Sequence, residues 1–302
     1  MRIAAVSDIH VLHDGSDEPL LAKIKERVEE LNPDVFVIAG DISDQLDILS
    51  DSLARLNVKN CVNLFVAGNH DIWFEEGDGT SSLEKYSRVI GEICRENGFH
   101  HLPDAPFELE SYAFVGSTGW YDYSFRREDL GIPRENYERK EYRGAVWYDL
   151  FRIDWPMTDS EAVDLFNQRL EYDFSTLSDS VEHVIYVSHH LPFQDLTIYK
   201  NRLPWDFYGA FMGATSTGQI IKRDGRVRLA LSGHSHVRQM INTDGIASLT
   251  VPLGYGRPSP EYLEKFVRDA VVAIELDGPT AKIDDFVSGD LSTGLPYTSF
   301  RN

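Results

Sequence analysis

Near the start of the chain three short apolar runs, Ile3 to Val6, Val35 to Ala39 and Val62 to Ala67, each stop abruptly at a polar cluster. The clusters read Ser-Asp-Ile-His, Gly-Asp and Gly-Asn-His-Asp. Apolar runs this short, without polar alternation, predict strands buried on both faces. Between the first two lies Leu20 to Leu31, with apolar residues at helical spacing and Pro33 closing it, and between the next two lies Leu46 to Leu56. The predicted order is therefore β-α-β-α-β. Asp8 and Asp41 are 33 positions apart and Asp41 and Asn69 are 28 apart, close to the ~30 residues of a crossover unit that sets parallel strands side by side. Their carboxyl ends then align, and all three clusters share one edge of the sheet. In open α/β sheets ligands bind in the crevice outside that edge.

Further on, Ser82 to Asn97 reads as a helix, and Tyr112 to Val115 and His183 to Val187 as strands. Arg228 to Leu231 is a strand running into Gly-His-Ser-His, so the last two strands also end at histidine. Ile246 to Val251 and Ala270 to Ile274 supply two more strands, consistent with a second sheet. Residues 120–155 stand apart: 10 of the 36 are Trp, Tyr or Phe, against 12% aromatics overall. This segment is expected as an aromatic-rich insertion, either a small satellite core beside the sheet or a lid over the site. Residues 1–302 are otherwise expected to form one domain.

Composition narrows the function classes. A net charge of −20 repels polyanions, which excludes a basic nucleic-acid sleeve. The longest uncharged run, Phe207 to Ile221, is 15 residues broken by glycines and polar groups, short of the ~18 a spanning helix needs. The four apolar residues Ile3 to Val6 fall short of the ~7–15 of a secretory signal, so none is expected. Cys61 and Cys94 form no CxxC pair, which argues against a disulfide framework and favours a cytoplasmic protein.

Collecting the strand-end residues gives Asp8, His10, Asp41, Asn69, His70, His189, His190, His234 and His236, with six of the chain's ten histidines among them. Imidazole and carboxylate are donors for first-row transition metals, and the set is large enough for two ions. His13, His100, His101 and His183 have no partner motif. Arg126, Arg127, Arg143 and Arg238 are candidate phosphate contacts, and Trp120, Tyr121 and Tyr123 are candidates to stack on a base.

Asp8-x-His10, Gly40-Asp41, Gly68-Asn69-His70-Asp71, His189 after an apolar strand and Gly233-His234-x-His236 together resemble the calcineurin-like metallophosphoesterase superfamily. The pattern is nearest to its phosphodiesterase members. The resemblance implies a four-layer α/β/β/α sandwich of two mixed sheets flanked by helices, with a two-metal phosphoester hydrolase site. Carried over residue by residue, it gives one ion Asp8, His10 and His236, the other Asn69, His189 and His234, and makes Asp41 the bridge. It leaves His70 for catalysis, with Asp71 to orient that imidazole or to serve as a turn residue. The implied ions are Mn or Fe, with Zn, Ni and Co as alternatives. Such a pair lowers the pKa of a shared water, yielding a hydroxide aimed at phosphorus.

The family pattern His-x-Pro is represented here by Ser188-His189-His190-Leu191-Pro192. Counting back from Pro192 selects His190; counting forward from the strand selects His189, which the alternation of strand faces favours. Asp41 is followed by Ile42-Ser43-Asp44-Gln45, unlike the Arg-Gly pattern of the protein phosphatases, and Gly-Asn-His-Asp differs from the Gly-Asn-Arg-Asp of the lipid-precursor diphosphatases. The expected substrate is therefore a small, nucleotide-like phosphodiester, with no membrane partner and long nucleic acid disfavoured. A nuclease of the same superfamily and a non-catalytic metal-binding scaffold are the alternatives.

Overall fold

The structure, a computed structural model, describes residues 1–74, 79–254 and 256–291 and the strand Tyr297–Phe300. The strands β1 (Arg2–Val6), β2 (Val35–Ala39) and β3 (Val62–Val66) lie parallel and adjacent, with Ala4 opposite Phe36 and Val37 opposite Leu64. The helices α1 (Glu18–Leu31) and α2 (Leu46–Leu56) make the two crossovers. α1 buries Leu20, Leu21, Ile24 and Val28 on one stripe and ends where Asn32 turns left-handed (φ 44°) ahead of Pro33. The first sheet runs in the order Thr280–Asp284, Val272–Asp277, β1, β2, β3, His100–His101, and Val272–Asp277 is antiparallel to β1, so the sheet is mixed. The second sheet runs Met240–Thr243, Ile246–Thr250, Val227–Ser232, His183–Ser188, Tyr112–Ser117, Phe107–Leu109, and is also mixed.

Period-two alternation sorts each strand's side chains into layers. Ile3, Ala5, Val35, Val37, Leu64 and Val66 face Phe114, Ile185, Val187, Leu229 and Leu249 of the second sheet. Ala4, Val6, Phe36, Ile38 and Phe65 face outward onto α1 and α2. On the far side Val115, Val184 and Ala230 pack on Leu170 and Phe174 of the helix Asp159–Thr176 and on Ile220 and Ile221 of Thr215–Asp224. The architecture is thus helix, sheet, sheet, helix, and the central strands are apolar throughout because both their faces are covered.

Two expected boundaries move. The strand expected from Ala270 begins at Val272, because the helix Leu263–Ala270 runs up to it. The helix expected over Ser82 to Asn97 is continuous but widens into a π segment at Lys85–Val89, where the buried Lys85 ammonium donates to the carbonyls of Asp44 and Trp73 (3.1 and 2.6 Å). Among the described residues no helix is long and apolar enough to cross a membrane.

Candidate metal centre

The expected strand-end residues follow their strands directly. Asp8 and His10 follow β1, Asp41 follows β2, Asn69 and His70 follow β3, and His189 and His234 follow the central strands of the second sheet. Asp8, His10, Asp41, His234 and His236 all have left-handed backbone (φ 54, 47, 60, 66 and 53°). Non-glycine residues adopt this region sparingly, though Asp and His tolerate it better than most, and such clustering marks a site where surrounding structure over-determines the turn. The turns are indeed pinned: Asp8 N–H donates to the Gly40 carbonyl and His10 N–H to that of Asp41 (both 2.9 Å), while the buried Arg257 guanidinium donates to the carbonyls of Ile9 and His10. Space is as tight as conformation. A Cβ on Gly68 would lie 2.0 Å from an Asp41 carboxylate oxygen, and one on Gly40, which also needs its φ of +85°, would lie 2.7 Å from His189 Nδ1.

Two buried donor groups result, Asp8, His10, Asp41 and His236 in one and Asp41, His189 and His234 in the other, the donor atoms of each lying within 4.8 Å of one another. Asp41 belongs to both: its Oδ2 is 3.5 Å from His10 Nε2 and 3.2 Å from His189 Nε2. Asn69 joins the second group, its Oδ1 lying 3.2 Å from His189 Nε2. The imidazoles are oriented from behind. His189 Nδ1 faces the Ala39 carbonyl (2.9 Å), leaving Nε2 toward the group, whereas His234 Nε2 faces the Phe211 carbonyl (3.1 Å), leaving Nδ1. Each backbone acceptor fixes the tautomer that a metal requires.

The donor set fits cations. His10 and His236 point Nε2 at Nε2 across 3.1 Å, as do His189 Nε2 and His234 Nδ1, contacts in which ring lone pairs converge on shared space. The electrostatics agree. Burial raises the Asp8 carboxyl to about 7. Burial also opposes the Asp41 charge, but His189, then His70 and His10, hold that carboxyl well below the usual range. Against its own burial, the same Asp41 charge lifts His189 to about 9. Burial drives His234 well below its ordinary value. Two inward-facing carboxylates and four converging imidazoles make a cavity that positive charge stabilises.

His190 lies outside both groups. Its Nδ1 faces the Thr118 carbonyl (3.1 Å), its ring packs against His234 (4.1 Å between ring centres), Trp120 and Tyr121, and burial lowers it to about 3. His70 sits at the mouth, with 31% of its side chain exposed, stacked on Trp73 (3.6 Å between ring centres) and with Nε2 3.9 Å from Asp41 Oδ2; burial lowers its pKa. Asp71 is bonded as a turn residue. Its two oxygens accept four backbone amides, from Gly68, Asp41, Ile42 and Ser43 (2.7–3.0 Å), and so clamp the Gly-Asp turn to the Gly-Asn-His turn. Burial and the neighbouring Asp41 charge raise it to about 7.

A residue that the sequence reading passed over, Asp149, holds the second group in place. It is buried and accepts four side-chain donors: Asn69 Nδ2 (2.9 Å) and Trp73 Nε1 (2.6 Å) on one oxygen, Tyr121 OH (2.9 Å) and Trp147 Nε1 (2.8 Å) on the other. Binding the Asn69 amide nitrogen turns its Oδ1 toward His189. The only signal in the sequence was an acid embedded among Trp and Tyr, whose N–H and O–H groups need acceptors when buried.

Several other candidates lie elsewhere. Trp120, Tyr121 and Tyr123 are buried and their polar atoms bond to Asp159 and Asp149, so they have no face for a base. Arg238 is buried against the carbonyls of Pro252, Ala270 and Val287, Arg127 pairs with Asp206 and Asp129, and Arg126 pairs with Glu128. Arg143 stacks over the Tyr142 ring. His13 pairs with Asp44 and His101 with Asp104, and neither they nor His100 and His183 belong to the two groups.

Comparison with known proteins adds to this geometry. The family model described as calcineurin-like phosphoesterase matches residues 1–238. A curated relative, the [acyl-carrier-protein] phosphodiesterase PptH of Mycobacterium tuberculosis, is 24% identical over 294 residues, covering 88% of this chain and 86% of that protein; the crystal structure of that phosphopantetheinyl hydrolase superposes with a TM-score of 0.69 over 93% of this chain and 94% of the other at 21% identity. The DNA double-strand break repair protein Mre11 of Nanoarchaeum equitans is 25% identical over 179 residues, 52% of this chain and 47% of its own length, and a dimetal phosphatase of Danio rerio shares the fold at a TM-score of 0.58 and 13% identity over 96% of each chain.

Proposed function

The chain belongs to the calcineurin-like phosphoesterase family, and from that premise we propose that it is a two-metal phosphodiesterase acting on a small diester. Asp8, His10 and His236 would hold one ion and Asn69, His189 and His234 the other, with Asp41 shared between the two sites. The observation that carries this reading is the single Asp41 oxygen within 3.5 Å of ring nitrogens from both donor groups. Divalent ions bound there supply Lewis acidity toward phosphoryl oxygens and acidify water toward neutrality.

The chain's own residues do the rest. Asp71 keeps the Asp41 and Asn69 turns in register. Asp149 presents the Asn69 carbonyl oxygen. His70, the most exposed imidazole of the set and braced by Trp73, reaches the mouth while remaining near Asp41 and, when protonated, donates to the departing oxygen. Segment 120–155 acts as a fixed wall within one catalytic domain, since its Asp149 and Trp147 brace the second group from behind. Both cysteines are free, in keeping with a reducing compartment.

For substrate, the charge of −20 weighs against duplex DNA, and the likeness to Mre11 spans only about half of each chain. The likeness to the [acyl-carrier-protein] phosphodiesterase of Mycobacterium tuberculosis extends over most of both chains and supports a phosphodiester substrate. A scaffold role is disfavoured because every donor is retained. Comparing kcat/KM for small aryl and alkyl diesters, cyclic nucleotides, single-stranded and duplex DNA and phosphopeptides, at equal metal and salt, tests this. The highest values are expected for small diesters; a duplex or phosphopeptide above all of them refutes the reading.

A further inference from the structure

We propose that a cleft beside His234 receives the slender, uncharged alcohol arm of the diester; this rests on the phosphodiesterase reading above. The cleft is walled by Trp147, Ile198, Trp205, Tyr208, Met212 and Val237, and His234 is part of its lining. That same imidazole belongs to the donor group of Asp41 and His189. The cleft and the donors therefore meet at His234, and one of the diester's two ester arms is placed toward the cleft.

Size and chemistry select the arm. The cleft encloses about 80 Å³, roughly half the ~150 Å³ of an engineered apolar cavity that takes up benzene. A nucleobase is too large, whereas an unbranched chain of methylenes fits. The walls are set in advance: Trp147 is held by Asp149 and lies parallel to Phe211 (4° between planes), and the Trp205 indole N–H donates to the Ile198 carbonyl (2.6 Å) while the Lys200 ammonium sits 3.3 Å from its ring centre. A pre-formed slot costs the ligand little ordering. This replaces base stacking by segment 120–155 as the determinant of substrate choice.

The test is a homologous series. With the metal-loaded protein, kcat/KM for 4-nitrophenyl alkyl phosphodiesters from methyl to hexyl is expected to rise about fourfold per methylene over the first few methylenes and then to level off once the cleft is filled. Calorimetric affinities of the matching n-alkyl phosphonates should follow the same slope, giving a readout independent of turnover. Trp205→Ala should flatten both slopes, whereas Tyr172→Ala, at an exposed position on the Asp159–Thr176 helix, should leave them unchanged. Phosphonate affinity independent of chain length in the wild-type protein overturns the proposal, whether or not the variants fold. Turnover of the methyl ester with a flat series refutes the cleft alone; a steep phosphonate series without any turnover supports the cleft and refutes the phosphodiesterase reading.

Discussion

Asp149 offers the sharpest separation of roles. Removing its carboxylate in Asp149→Ala leaves four donors, Asn69 Nδ2, Trp73 Nε1, Tyr121 OH and Trp147 Nε1, without their acceptor in a buried site. Each stranded donor costs about 1–3 kcal/mol, but the costs are not additive, because water can enter the space left and Asn69 can rotate. A net loss of about 3–5 kcal/mol in unfolding free energy, as for other broken buried charge networks, is expected in the metal-free protein. The functional effect should be selective. Of the proposed metal ligands, Asn69 is the one that bonds to Asp149, so the ion held with His189 and His234 should weaken by about 10- to 100-fold, the range for loss of a group that orients a ligand. The ion held by Asp8, His10 and His236 should be retained. Equilibrium dialysis against metal buffers, fitted with two sites, measures both affinities, and urea unfolding measures stability. Equal weakening of the two sites, or unaltered metal affinity beside a stability loss, would refute the role assigned to Asp149.

Three other substitutions probe neighbouring parts. His189→Ala should lose one ion while His190→Ala keeps both, by elemental analysis; the reverse result would transfer the ligand role to His190. Asp71→Ala should destabilise the metal-free protein by about 4 kcal/mol, since four buried amides lose their acceptor, and unchanged urea unfolding would contradict the clamp. For His70→Ala, metal content should be preserved and the rate loss should grow as the leaving group becomes poorer; an equal loss across a leaving-group series would make His70 a substrate-orienting residue instead.

What could be read from the chain and what could not differ in range. Asp8, Asp41 and Asn69 were legible because buried parallel strands must align their carboxyl ends, so a polar cluster ending each apolar run is brought to a common edge by topology alone. His189 was separable from His190 by the alternation of strand faces, and the structure puts His189 with Asp41 and His234 while His190 turns toward Trp120. Asp149 was not legible. It lies 80 positions from Asn69 in a segment of short elements without sustained periodicity, and nothing local says which way its carboxylate packs. The same lack of periodicity hid the burial of Trp120, Tyr121 and Tyr123, which composition alone offered as stacking surfaces. The arginines erred in the opposite sense: Arg238 follows a histidine motif closely, yet it is consumed by backbone carbonyls in the interior.

The most direct test of a two-metal centre joined by Asp41 is the metal content of Asp41→Ala beside that of Asn69→Ala, by elemental analysis of folded protein with turnover of an aryl phosphodiester followed in the same samples. Loss of both ions and of turnover in Asp41→Ala, with a single ion retained in Asn69→Ala, is the predicted result. Two ions retained in Asp41→Ala, or wild-type turnover after exhaustive chelation, would contradict the account.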